Sequence, residues 1–221
     1  MYHYCAYNGG EFRKALVETW LNGQGTPWLI DSVSNHPNYD ALWSGLDLGT
    51  RWGLLTTPMF HVSGWFDLYT DSQLEAFSVL QAFAHNQKLF VGPWGHGNAW
   101  GSAVQGDLTY PDNARMSEGE MALFLFRWYD YWLKDSSSAV LDPKVTYYLM
   151  GDVDTPDTTV WNCWVEADTW PPLDQQYLAL YLREEGALDT LPPEPGEPPD
   201  TFRYDPQDPC PTIGGREFLS L

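Results

Sequence analysis

The spacing of apolar positions along the chain changes character twice, near residue 50 and again near residue 140. Up to about residue 50, Phe12, Leu16 and Trp20 recur at helical spacing and Leu21 widens the stripe. Gly23 stands where a left-handed C-terminal stop belongs. The turn-prone His36-Pro37-Asn38-Tyr39-Asp40 then leads into Leu42 and Trp43, and no run in this region reads as a strand. From residue 52 to 135 the pattern alternates. Met59 to Val62 is a short apolar run with Pro58 at its start, as suits a strand. Thr70-x-x-Gln73 has the form of a capping box, and Leu74, Phe77 and Leu80 continue as a helical stripe. Leu89 to Val91 is a second buried strand. Ser117-x-x-Glu120 is another capping box, opening a helix with Met121, Phe124, Leu125, Trp128 and Trp132 on one face.

Strands alternating with helices predict a parallel sheet covered on both sides. From Pro143 the period falls to two. Val145 to Met150, Val160 to Val165 and Tyr177 to Leu182 read as strands of a β-sandwich or jelly roll, divided by Gly, Pro and Asp turns. Glu184 to Asp200, rich in proline and acid, reads as an exposed loop. No internal repeat is visible. Three regions are therefore expected: a helical accessory or lid element over residues 1–50, an α/β core over 51–138, and the start of an all-β domain over 139–221.

Composition narrows the function classes. Twelve tryptophans and thirteen tyrosines in 221 residues belong to a folded chain rather than a solvated tail. Thirty acidic against eleven basic residues leave a net charge of -19. Phosphate binding needs clustered Lys and Arg, and only four lysines are present, so no nucleic-acid partner is expected. The acidity itself reads as a solubilising surface rather than a site for a cationic substrate. Cys5, Cys163 and Cys210 are odd in number and widely spaced, which suits neither a disulfide framework nor a zinc site. No stretch approaches the roughly 20 apolar residues of a membrane span, and no membrane partner is expected.

The candidate chemistry lies just beyond two consecutive strands. Asp67 ends Ser63-Gly64-Trp65-Phe66-Asp67, and His96 sits in Gly92-Pro93-Trp94-Gly95-His96-Gly97, twenty-nine residues later. In an open parallel sheet, reacting groups gather at the carboxyl ends of the strands. An acid followed in the chain by a histidine is the order in which an α/β-hydrolase supplies two members of its Ser-Asp-His triad. His96 would act as general base and Asp67 would hold its tautomer. Taken singly, each has a plainer reading: Asp67 as an N-cap, although Thr70 can take that role, and His96 as a surface loop residue. The other histidines carry less. His61 falls inside a strand and reads as a satisfied core residue, His36 as an anchor of its loop, and His85 as a favourable charge at a helix end. No metal-ligand spacing occurs, so neither metal nor cofactor is expected. No Gly-x-Ser-x-Gly occurs either, and Ser117 follows the histidine on a helix cap.

At these residues the chain resembles the X-Pro dipeptidyl-peptidase and cocaine-esterase-like (CocE/NonD) family of serine hydrolases. Pro58 to Asp67 resembles the strand and Gly-Trp-x-Asp that bears the family's aspartate. Gly92 to Gly97 resembles its Gly-Pro-Trp-x-His-Gly. His36 to Asp40 with Trp43 is similar to the segment where the cap returns to the core. Trp128 to Lys134, Val145 to Gly151 and Trp161 to Pro171 are similar to the entry into a C-terminal jelly roll. Tyr204-Asp205-Pro206 to Gly214-Gly215 is similar to a loop of that domain. The resemblance implies a serine hydrolase acting on acyl compounds, with Asp67 and His96 in its triad. It places Tyr69 against the acyl pocket, where the plainer reading is an aromatic that shields the loop.

The departures are the serine, the oxyanion-hole tyrosine that follows it, and most of the cap. Peptide, ester and β-lactam acyl substrates are therefore not separated. The expected architecture is the C-terminal part of an α/β-hydrolase sheet with a helical cap remnant, followed by a jelly roll, incomplete at both ends and inactive alone. Its expected partners are small acyl esters, amides or short peptides, and an oligomer is left open. The alternative from another class is a non-catalytic binding protein, in which a degraded hydrolase core carries an aromatic-rich β-sandwich that recognises sugar or peptide.

Overall fold

In the computed structural model, the apolar runs near residues 60 and 90 become two parallel strands, each longer than the sequence suggests. The structure describes residues 7–8, 11–36, 38–83, 86–96, 102–135, 141–183, 186–199, 201–208 and 213–214. They divide into two units, 1–51 and 52–221. His85, Gly97, Cys5, Cys210 and Gly215 lie outside the described residues.

In the first unit the expectation of no strand is corrected. Tyr7–Asn8 (β1) and Glu11–Phe12 (β2) pair antiparallel, with Tyr7 opposite Phe12. The sequence signal for this hairpin is the Gly9-Gly10 pair between them, which a helical count passes over. Phe12 therefore leaves the predicted stripe, and the first helix, α1, runs from Lys14 to Gly23. Gly23 is the last helical residue rather than the stop. Positive φ comes two residues later, at Gly25 (φ 74°), and Thr26 N–H donates to Leu21 O at 2.9 Å. Helices α2 (Trp28–Asn35) and α3 (Ala41–Leu46) follow. Asp40 caps α3: one carboxylate oxygen accepts from Leu42 N–H (2.9 Å) and the other meets His36 Nδ1 (2.5 Å). The His36 hydrogen bond is the largest influence holding the Asp40 carboxyl below its usual range. The Trp43 indole N–H also donates to His36 O (2.7 Å). His36 does anchor its turn.

The second unit is built on Met59–Phe66 (β3), Thr70–Phe83 (α4), Gln87–Gly95 (β4), the short pair Val104–Gln105 (β5) and Leu108–Thr109 (β6), Glu118–Lys134 (α5), Val145–Leu149 (β7) and Cys163–Ala167 (β8). The sheet order is β3-β4-β7-β8, with β3, β4 and β7 parallel and β8 antiparallel to β7. Every residue of β4 is buried. On one face Phe77 of α4 packs on Leu89, Val91 and Val145. On the other, Phe90, Trp94, Met116 and Met121 form a second cluster with Phe60, Val62 and Trp164 at its margin. In α5, Met121 and Trp128 are buried, whereas Leu125 of the predicted face is exposed.

Two sequence expectations change here. Val145 to Met150 and Val160 to Val165 do not open a separate jelly roll, since β7 and β8 complete the mixed core sheet. Val145 and Tyr148, on opposite faces of β7, are both fully buried, and a period-two residue pattern says nothing of which sheet a strand joins. The segment after β8 also docks on the core, because the Gln81 side chain accepts from Trp170 N–H (3.1 Å) and donates to Trp170 O. Beyond it, the predicted strand 177–182 shortens to Tyr181–Arg183 (β9). It pairs with Ala187–Asp189 (β10), inside the segment expected to be loop. Arg183 Nε donates to both Glu197 carboxylate oxygens (2.9 and 3.1 Å), which folds the proline-rich stretch back on the hairpin. No jelly roll is seen among the described residues. No helix among them is long and apolar enough to cross a membrane.

Phe77 is fully buried where the helix meets the sheet. Phe77→Ala is therefore expected to cost about 3–5 kcal/mol of stability through lost transfer energy and the cavity left behind. Urea denaturation of the purified chain measures it.

Candidate active site

Strands β3 and β4 run side by side in a fixed register until their carboxyl ends. Met59 pairs with Gln87, and the pairing continues to Gly64 with Gly92, each pair 28 residues apart in sequence. The next pair, Phe66 with Gly95, is 29 apart. One extra residue has entered β4 between Gly92 and Gly95. A β-strand alternates its side chains, so one extra residue exchanges the faces of everything beyond it. Continued in the first register, the strands would put His96 and Asp67 on opposite faces. After the shift, residues 29 apart share a face, and Asp67 and His96 are 29 apart.

The backbones come very close where the shift occurs. A Cβ on Gly64 would lie 2.0 Å from the carbonyl oxygen of Trp94, and one on Gly92 would lie 2.3 Å from the Trp94 ring. Only glycine fits at either position. Beyond the shift, a tight turn presents Asp67. Its N–H donates to Gly64 O (2.9 Å), and its Oδ1 accepts from Tyr69 N–H (2.8 Å). The buried Thr70 hydroxyl lies within hydrogen-bonding reach of both Asp67 O (2.8 Å) and Gly64 O, which share its one proton. Thr70 therefore fastens the turn and is the first residue of α4, and the expected capping box with Gln73 does not form. The Gln73 side chain instead faces His61 Nδ1 at 3.4 Å.

With Oδ1 occupied, Oδ2 of Asp67 meets His96 Nδ1 at 3.0 Å. The Asp67 side chain is 16% exposed and that of His96 is 40% exposed. The pair thus lies at the surface end of the sheet, with the carboxylate sheltered and the imidazole reachable. The Tyr69 ring stands edge-on to the imidazole, with centroids 5.4 Å apart. All three candidate residues from the sequence are brought together. Thr70, Gly64 and Trp94 are the supports that sequence reasoning missed. The glycine of Gly-Trp-x-Asp and the tryptophan of Gly-Pro-Trp were on view as motif letters, but their roles depend on the shift in register.

The remaining candidates fall elsewhere. His61 is a buried core histidine, with Nε2 2.9 Å from Gln87 Oε1 and its ring edge-on to Phe77. Gln87 Nε2 donates to Thr57 O and Asn86 Oδ1, so Oε1 must face the imidazole and Nε2 carries its proton. Ser117 is spent in the capping box of α5, accepting from Glu120 N–H at 3.2 Å. A cavity of about 290 Å³, lined by Gln81, Gln87, Lys144 and Trp170, opens at the amino end of β4, away from His96. Among the described residues no group of three or more His, Cys, Asp or Glu could hold a metal ion.

The chain is similar to several known proteins. Residues 6–98 match the family described as X-Pro dipeptidyl-peptidase (S15 family). The chain is 32% identical over 209 residues to cocaine esterase of Rhodococcus sp. (strain MB1 Bresler), covering 90% of this chain and 34% of that protein. Two solved structures share the fold. An aminopeptidase from a marine sediment Thaumarchaeota archaeon has a TM-score of 0.62 at 24% identity over 90% of this chain and 32% of its own. A CocE/NonD family hydrolase from Staphylococcus aureus has a TM-score of 0.56 at 18% identity over 79% of this chain and 29% of its own. The chain spans about a third of the length of the cocaine esterase. It belongs to the X-Pro dipeptidyl-peptidase (S15) and cocaine-esterase-like family of hydrolases.

The approach of β3 to β4 at Gly64 has a measurable consequence. Gly64→Ala sets a methyl group against a backbone carbonyl that cannot rotate away, and is expected to cost about 1–3 kcal/mol. Chemical denaturation compared with the unaltered chain reads the loss.

Proposed function

We propose that Asp67 and His96 are the acid and base of a Ser-Asp-His hydrolase that cleaves acyl ester, amide or short-peptide bonds, with the serine contributed from sequence outside these 221 residues. The observation that carries this reading is the 3.0 Å contact from His96 Nδ1 to Asp67 Oδ2 at the carboxyl ends of adjacent parallel strands. Kinship with an esterase and peptidase family supports it.

In this reading the Nδ1 proton is donated to Asp67, which leaves Nε2 as the basic nitrogen. The serine hydroxyl gives its proton to Nε2 as its oxygen attacks the acyl carbon. Asp67 stabilises the imidazolium and does not itself take the proton. The imidazolium then protonates the departing alcohol or amine, and the same nitrogen later deprotonates the water that releases the acyl group. Tyr69, edge-on to the imidazole and exposed, would border the acyl group. No step calls for a metal or a cofactor. Small neutral or cationic substrates suit a chain of net charge -19 better than nucleic acid does. An all-β domain after the core belongs to the same reading, and the β9–β10 hairpin is the element that supports it. The rival reading of a sugar- or peptide-binding protein is not favoured, because it gives the Asp67–His96 pair no task.

A fluorophosphonate probe is expected to leave the 221-residue chain unlabelled, and mass-spectrometric detection of label on any of its serines would refute an external nucleophile. In a longer product that carries the serine, His96→Ala is expected to lower kcat/KM for a p-nitrophenyl acyl ester on the order of 10⁴-fold or more. Asp67→Asn, which keeps the shape but withdraws the charge, should cost on the order of 10⁴-fold in kcat. Near-normal turnover by either variant would remove the pair from the mechanism.

A further inference from the structure

We infer that Trp94 is the positioning residue of the candidate site, setting the register shift that turns His96 toward Asp67. The inference rests on reading that pair as acid and base. β4 departs from its first register between Gly92 and Gly95, and within that interval the carbonyl oxygen of Trp94 lies directly over Gly64. Its indole is 1% exposed, and contacts among the described residues hold it. The ring lies nearly parallel to Phe90, with centroids 6.0 Å apart and planes 21° apart. It meets Trp164 at 5.7 Å. Its Nε1–H donates to Ala114 O at 2.9 Å, in the turn that leads into α5.

These contacts fix the peptide two residues before His96 from beneath the sheet, without touching the imidazole. The hydrogen bond gives the indole a single orientation, and the space over Gly92 is filled by its six-membered ring. A phenyl ring could keep the stack on Phe90, but it has no N–H for Ala114. The strand end would then lose the tether that holds the shifted register, and the Nδ1 contact with Asp67 would loosen while the core stays packed.

The test is the tautomer of His96, read from the ¹⁵N shifts of its ring in the 221-residue chain and assigned by their disappearance in His96→Gln. The unaltered chain is expected to carry its proton on Nδ1, as bonding to Asp67 requires. Trp94→Phe should keep the far-UV circular dichroism spectrum and cooperative unfolding while the ring shifts toward the Nε2–H form of unconstrained imidazole. Trp132→Phe, an aromatic truncation on α5 remote from the shift, should leave the tautomer unchanged. A folded Trp94→Phe that retains the Nδ1–H tautomer overturns the assignment, and so does an equal change in Trp132→Phe. If Trp94→Phe does not fold, Phe90→Leu removes the stack under the indole and is read in the same way. Unfolding of both variants also overturns it, since Trp94 would then be a core residue with no separable effect on the pair. An Nε2–H ring in the unaltered chain refutes the acid–base reading itself, which is a distinct outcome.

Discussion

A single extra residue in β4 decides whether Asp67 and His96 can meet. The two strands are bonded in one register along most of their length, and in that register the carboxylate and the imidazole would face opposite sides of the sheet. The pair cannot impose the shift by its own attraction. With the imidazole 40% exposed, an ion pair or charged hydrogen bond is worth roughly 1 kcal/mol. Burying a tryptophan side chain removes about 200 Å² from water, which at about 25 cal/mol per Å² contributes ~5 kcal/mol. The aromatic core is therefore the stronger hand. It holds the backbone in the shifted register, and the polar pair forms as a consequence.

That arrangement needs support from both faces of the sheet. Beneath α4, Phe77, Leu89, Val91 and Val145 form a packed layer in which β4 cannot slide. On the other face, Trp94 is locked against Phe90 and Met121, while the turn at 112–114 reaches up to take its indole N–H. Trp65 ties in the far side, donating its indole N–H to Tyr148 O on β7 at 2.6 Å. Indole hydrogen bonds to backbone carbonyls thus tie β3 to β7 and β4 to the turn at 112–114. The catalytic candidates sit on short turns above a rigid base, and the Thr70 hydroxyl closes the first of those turns. Precise placement of the pair is obtained largely from the buried groups around it.

Much of this was legible in sequence, and the limits have physical causes. The apolar runs at 59–62 and 89–91 located both strands, because burial on two faces leaves a continuous hydrophobic signal. The strand ends were not legible. Gly64, Gly92, Pro93 and Gly95 read as loop by composition, yet here they are strand residues, with the Trp94 backbone closing on Gly64 and the Trp94 ring on Gly92. The spacing of 29 residues between Asp67 and His96 was visible, but it acquires meaning only against a strand register of 28, which no single sequence displays. The same gap explains β7 and β8. Alternation predicted strands at 145–150 and 160–165, but local pattern does not encode the partner across a sheet. Thr70-x-x-Gln73 matched a capping box by letter, whereas the threonine hydroxyl was drawn to the carbonyls of the preceding turn. In the first unit, a helical count absorbed Phe12 into a stripe, although the Gly9-Gly10 pair just before it is a hairpin signal.

The division of tasks among these residues also bears on what the site can specify. An imidazole paired with a carboxylate acts on protons, first that of a nucleophile and then that of a leaving group or water. It is indifferent to the acyl chain on the far side of the carbonyl. Discrimination between an ester, an amide and a peptide must come from groups that touch the acyl and leaving portions. Among the described residues, Tyr69 has its ring beside His96, and the proposed function gives it that part. Its backbone N–H already serves Asp67, so the same residue braces the carboxylate with its main chain and stands beside the imidazole with its ring. Changing that ring can alter which substrate is accepted without disturbing the proton relay, because the brace is made by the main chain and the border by the side chain.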